Sequence, residues 1–187
     1  MKYILISSVI LLFSCLNKKS TISNDYEGSK NCLIPLKSLL TYLDSNINNI
    51  SDINCLHSKD TLIEYEEKYW HGKIYLMNKT EEPIFLFETN WEDTIKLSRL
   101  SILSTKGIKD DINFGNVGMT FLQIKNIINS NRLNEAPDGY LFLFNKLNKK
   151  ISYVMDVPFD SPLTYGIKSI NEIPDTLKVK SIIITNN

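Results

Sequence analysis

The strongest constraint on this chain is a relay of short extended segments broken by turn residues. Residues 62–70 carry interleaved acidic side chains, residues 73–77 follow, and residues 84–88 come after the turn-rich 78–83. Residues 94–104 form a longer segment. Its apolar positions Ile95 and Leu97 are out of phase with Leu100 and Ile102, which predicts a bulge or a strand that changes faces. Residues 140–144 and 151–157 flank the polar turn 145–149, the first of them behind an Asp138-Gly139 turn, and residues 177–185 close the series. Strands joined so closely pair antiparallel, because parallel neighbours need a long crossover.

Two stretches follow a helical period instead. Leu36, Leu39, Leu40 and Leu43 recur behind Pro35, a residue favoured at the first helical position. Phe121, Ile124, Ile127 and Ile128 recur after Thr120. Thr120 and Gln123 have capping-box spacing, so a helix is expected over 121–129. The expected fold class is α+β: a single antiparallel sheet of six or seven strands with two main helices, built from residues 31–187.

The N-terminus is patterned differently. Lys2 precedes an apolar run, Ile4 to Phe13, interrupted only by Ser7 and Ser8, as in a secretory signal. The run is too short to cross a bilayer, which takes ~20 apolar residues. It ends in Leu12-Phe13-Ser14-Cys15, which resembles the lipobox of bacterial lipoproteins, although Phe13 replaces the usual small or aliphatic residue. The resemblance implies a signal peptide over 1–14, cleavage before Cys15 and a lipid on the Cys15 thiol. Acyl chains buried at ~0.8 kcal/mol per CH₂ would hold the protein at a membrane. Residues 15–30 are polar and aperiodic and read as a tether. The expected location is the cell membrane or outer membrane, facing the periplasm or the cell surface.

With Cys15 lipidated, Cys32 and Cys55 remain. An exported compartment permits their disulfide, and a loop of about twenty residues would contribute ~3 kcal/mol in the chain-entropy model. Two reduced, buried cysteines are the alternative. The spacing is unlike the Cys-x-x-Cys of a catalytic dithiol.

The chain carries 21 basic and 21 acidic residues, and 20 against 21 once Lys2 is removed. That balance offers no electrostatic footprint for nucleic acid. Its 43% hydrophobic content suits one core. Gly115-Asn116-Val117-Gly118-Met119-Thr120 leading into a helix and two strands resembles, over 115–156, the BamE/SmpA type of outer-membrane assembly lipoprotein. Asn131-Arg132-Leu133 stands where that type has Gly-x-Pro. A wider likeness, through the Lys106-Gly107-Ile108 turn and the terminal strands, is to small uncharacterised lipoproteins of Bacteroidota. Asp60-Thr61-Leu62, Asp93-Thr94-Ile95 and Asp175-Thr176-Leu177 resemble the O-glycosylation signal of that phylum, which implies Thr61, Thr94 and Thr176 as acceptors.

Motifs for chemistry are sparse. Gly115 and Gly118 before a helix could cradle an anion, but neither a P-loop nor a dinucleotide pattern is present, and turn glycines explain them. His57 beside Cys55, and His71, fall short of a tetrahedral metal site, so no metal or other cofactor is expected. Glu64, Glu66 and Glu67 could pair for glycoside chemistry, or mark a solvated strand face. Asp110-Asp111 could serve calcium, or a solvated loop. Tyr65, Tyr69, Trp70, Tyr75, Phe85, Phe87 and Trp91 crowd one stretch; most should be core, and any exposed remainder a protein or sugar contact. The expectation is a non-enzymatic, membrane-anchored envelope lipoprotein that binds a protein or assists envelope assembly. An inhibitor or immunity lipoprotein acting on a toxin or wall hydrolase is the alternative, and an envelope glycan hydrolase the third reading.

Overall fold

A computed structural model describes residues 33–186, except 54, 55, 66, 78, 79, 134–139, 159, 160, 166 and 168. The segments expected as signal peptide and tether, Cys15, Cys32, Cys55, Glu66 and the expected turn at Asp138-Gly139 lie outside the described residues. Those that are described belong to one compact unit, Cys32–Asn187.

The fold is α+β and dominated by strands. β1 (Ile34–Pro35) leads into helix α1 (Leu36–Leu40). Strands β2 (Leu56–Tyr65), β3 (Lys68–Met77), β4 (Pro83–Glu88) and β5 (Arg99–Ile102) follow, then β6 (Ile108–Lys109). Helix α2 (Phe121–Ile124) precedes β7 (Ile128–Leu133), β8 (Leu141–Asn145), β9 (Ile151–Met155) and β10 (Val179–Thr185). The main sheet has eight strands, ordered β2-β3-β4-β5-β10-β9-β8-β7, and every neighbouring pair is antiparallel. Eight replaces the expected six or seven. β1 and β6 form a separate parallel pair, Ile34 opposite Ile108.

The differences from the expected strands have identifiable causes. Residues 62–70 are not one strand but two, joined by a tight turn in which Glu67 takes a positive φ of 62°. That turn contains neither Gly nor Pro, the usual markers. Gly72 instead sits inside β3, opposite Thr61 and Glu88. A Cβ there would meet Thr61 Cγ2 at 2.9 Å and Leu86 Cδ1 at 3.0 Å, so any side chain at that point would force these neighbours to shift. The added strand is β7. The helix expected to reach 129 stops after one turn, passes through a 3-10 turn (Lys125–Ile127), and Ile128 pairs with Asn145. Its start is as expected: Thr120 and Gln123 form the capping box, with the Thr120 N–H donating to Gln123 Oε1 at 2.8 Å.

The expected long strand 94–104 is also shortened. Only Arg99–Ile102 lies in the sheet. Leu97 bonds the loop after α1 instead, its N–H to Ser45 O and its O from Asp44 N, both at 2.9 Å. The phase slip between Leu97 and Leu100 is therefore a change of pairing partner. Pro35 caps α1 from outside rather than occupying its first turn, and Asp111 accepts the Lys37 N–H at 2.9 Å.

The core lies on one face of the sheet, beneath α1, α2 and their flanking loops. Tyr75 stacks on Phe85 at 4.6 Å, and Phe87 meets both edge-on at 6.0 and 5.5 Å. Two buried phenols anchor the loops above. The Tyr75 hydroxyl donates to Ser51 O at 2.9 Å, and that of Tyr153 donates to Phe114 O at 2.7 Å while accepting from Asn145 Nδ2 at 2.8 Å. Among the described residues no helix is long and apolar enough to cross a membrane, which says nothing of strands.

Candidate functional site

Alternation along the strands fixes what the second face of the sheet carries. Phe85 and Phe87 enter the core, so Leu86 and Glu88 point the other way. Register then sets Leu86 opposite Ser101 and Glu88 opposite Arg99. Ile183 lies across from Ser101, Val154 from Ser181, and Phe142 from Val154. A groove of about 260 Å³ opens on this face.

Glu88 is buried at the groove, 4% exposed. It accepts hydrogen bonds from Ser101 Oγ at 2.7 Å, Trp70 Nε1 at 3.3 Å and Arg99 Nη1 at 3.5 Å. An ion withdrawn from water costs several kcal/mol unless its lone pairs are met, and these three donors meet them. Among the described residues lining the groove Glu88 is the one carboxylate. The two-carboxylate arrangement of glycoside hydrolysis is not assembled here.

A second region lies at the β2 end. β2 is an edge strand. The N–H of Leu56 bonds Ile53 O at 3.0 Å and that of Ser58 bonds Asp52 Oδ1 at 2.8 Å, both away from β3. Period two turns the N–H groups of Asp60, Leu62 and Glu64 the same way. Among the described residues nothing pairs with those three. Leu62 is 60% exposed, and Tyr69, Trp91 and Ile95 are also exposed. Beside them a pocket of about 350 Å³ is lined by Ile47, Asn48, Asp60, His71, Gly72, Thr94 and Ile95. Lys73 braces its wall, with Nζ on Ile50 O at 3.0 Å and 3.4 Å from Asp60 Oδ1.

The residues singled out from the sequence are mostly held apart. His57 pairs with Glu81 at 3.1 Å, five register positions from His71. Among the described residues no three His, Cys, Asp or Glu side chains could hold a metal ion. Glu64 accepts the Tyr69 hydroxyl at 2.9 Å and so pushes that phenol's pKa up, while Glu67 occupies the turn. Asp110 is spent on its own loop, accepting from Ile112, Asn113 and Gly115 N–H groups. The N–H groups around the start of α2 are likewise engaged: Gly118 to Val179 O, Phe121 to Leu177 O and Leu122 to Asp175 O. No anion cradle is left there. Thr94 and Thr176 are exposed, outside the sheet. Thr61 is half-buried within β2. Asp93, beside Thr94, accepts the Ile95 and Lys96 N–H groups, which hold its carboxyl below the ordinary value.

Sequence reading missed Glu88, Arg99 and Lys180. Strand alternation was the available signal for Glu88, but alone it marks a solvated face.

No protein-family model matches this chain, and no curated protein matches it. Among solved structures, the uncharacterized protein yfeY from Escherichia coli is similar, with a TM-score of 0.48 and 13% identity over 70% of this chain and 82% of that one.

Proposed function

We propose that this chain is a non-enzymatic lipoprotein of the cell envelope, held at the membrane through Cys15, whose β2 end binds another protein. The observation that carries this is the unpaired backbone of Asp60, Leu62 and Glu64 beside exposed Leu62 and Ile95. A long free edge invites strand addition: main-chain bonds supply affinity and an adjacent pocket selects a side chain. The 350 Å³ pocket at His71 and Thr94 lies where such a side chain would enter.

The test is site-specific photo-crosslinking in the native host, with the crosslinker at Leu62 or at Leu147. Leu147 is 88% exposed, in the turn between β8 and β9. The reading expects one discrete adduct at position 62, none at 147, and loss of the first with Ile95→Asp. Equal adducts at both positions, or none at either, would overturn it. Cys15→Ala should release the protein from membranes and abolish the adduct of a membrane-bound partner. Thr94 and Thr176 are the accessible acceptors for an O-linked sugar. An intact mass from the native host with no excess beyond the lipid would refute that modification.

A further inference from the structure

The groove on the second face contains a feature that folding alone does not require. β10 pairs with β9 through Val179 opposite Met155 and Ser181 opposite Val154, so Lys180 is one residue more than β9 can match. It is a β-bulge. Ile182 and Ile184 face the core, and unbroken alternation would send residue 180 there too. The bulge instead places Lys180 beside Ser181 at the groove, as bulges often re-aim a side chain at a site.

Lys180 meets a matched surface. Arg99 lines the same groove, its side chain 42% exposed, with Glu88 at 3.5 Å its nearest acid. A guanidinium has five N–H donors, and this contact uses one. Among the described residues Lys180 forms no ion pair. Glu88 carries one negative charge against the two cations of Arg99 and Lys180, so the lining of the groove is left net positive. Between them the floor is apolar: Phe142, Val154 and Ile183. Val154 is buried yet stands apart from the core cluster, because it belongs to this face.

We infer that this groove binds a small amphiphilic carboxylate, its head at Lys180 and its short apolar body on Phe142, Val154 and Ile183. The volume of about 260 Å³ lies just below the usual range for small-molecule sites and suits a short chain. This site is independent of the β2 end, and either can fail without the other.

The probe is octanoate, titrated calorimetrically into the full-length lipidated chain in lipid nanodiscs, with the heat of empty nanodiscs subtracted. Octanol and octylammonium share the apolar body but lack the anion. The expected result is saturable octanoate binding, with both comparison compounds at least tenfold weaker. Lys180→Gln should weaken octanoate about tenfold, as for loss of one charge-assisted hydrogen bond. Lys178→Gln, which removes an exposed charge two residues away, should leave binding unchanged. The proposal is overturned if octanol binds as well as octanoate, if both lysine variants behave alike, or if octanoate does not saturate. Both variants alter exposed side chains, so matching thermal melts will separate lost binding from lost folding.

Discussion

One face of the sheet buries Tyr75, Phe85, Phe87, Leu100, Ile182 and Tyr153 against helices and loops, and its polar atoms include two phenol hydroxyls bonded to loop carbonyls and the Asn145 amide bonded to one of them. The other face buries a carboxylate, Glu88, with Ser101 and Ser152, and opens a groove. The two faces share strands and differ by one residue of phase. The first is closed by apolar area, which is non-directional and tolerates a polar group only when bonded. The second depends on directional contacts to a single ion. Loss of volume should therefore damage the first most, and loss of a donor the second.

The largest effect is expected at Phe87, which is fully buried among three aromatic rings. Phe87→Ala should cost about 3–5 kcal/mol in urea unfolding, a large share of a typical domain's stability. A loss no bigger than that of an exposed-site variant would erase the contrast between faces. Next comes Ser101→Ala, which removes the shortest bond to Glu88 and should cost about 1.5–3 kcal/mol. Adding Glu88→Met to it should recover most of that loss, because the buried ion is then gone. If the double variant is as unstable as the single, Glu88 is not the seat of the effect.

Tyr153→Phe should cost about 1 kcal/mol at neutral pH, by freeing Phe114 O. It also has a signature in alkali. Burial raises the phenol pKa of both Tyr75 and Tyr153 above the ordinary value of 10. A raised pKa means that the folded state holds its proton longer, so this stabilisation is full below pH 10 and is lost as pH rises beyond it. Unfolding curves from pH 9 to 12 should fall steeply for the native chain and less so for Tyr153→Phe; parallel curves would sink the assignment.

The smallest effect belongs to the surface, on neither face. Ser58 N–H and hydroxyl groups lower the Asp52 pKa, the Lys59 ammonium lowers Glu81, and backbone N–H groups lower Asp93. Lowered values give stability that is present above the ordinary carboxylate range and is lost as pH falls below about 4. Asp52→Asn should flatten that acid slope slightly, with a small loss of stability above pH 6 that disappears toward low pH in thermal melts.

Several of these elements were legible because their signals are local. The capping box of Thr120 and Gln123 marks where α2 begins, and the extended segment 84–88 is a strand. What failed depended on distant partners. Ile128 fits both a helical period and a strand, and only Asn145, far along the chain, decides for the strand. Gly72 falls in the gap between the segments 62–70 and 73–77, yet it lies inside β3, close against Thr61 and Leu86 of neighbouring strands. Glu67 turns a hairpin in a conformation that glycine usually takes, so no composition signal announced it. Lys180 read as an ordinary polar strand residue, because a bulge exists only relative to the partner's register. The groove, built from residues of five strands, had no local trace at all.

The order of the sheet carries a consequence in time. β10 lies between β5 and β9, so the tenth strand in chain order joins the β2–β5 half to the β7–β9 half. Synthesis delivers the chain from its N-terminus. Until Thr185 has emerged, two partial sheets stand with facing open edges. A chain without β10 would leave both halves present and unjoined, and this strand acts as the latch that commits the molecule.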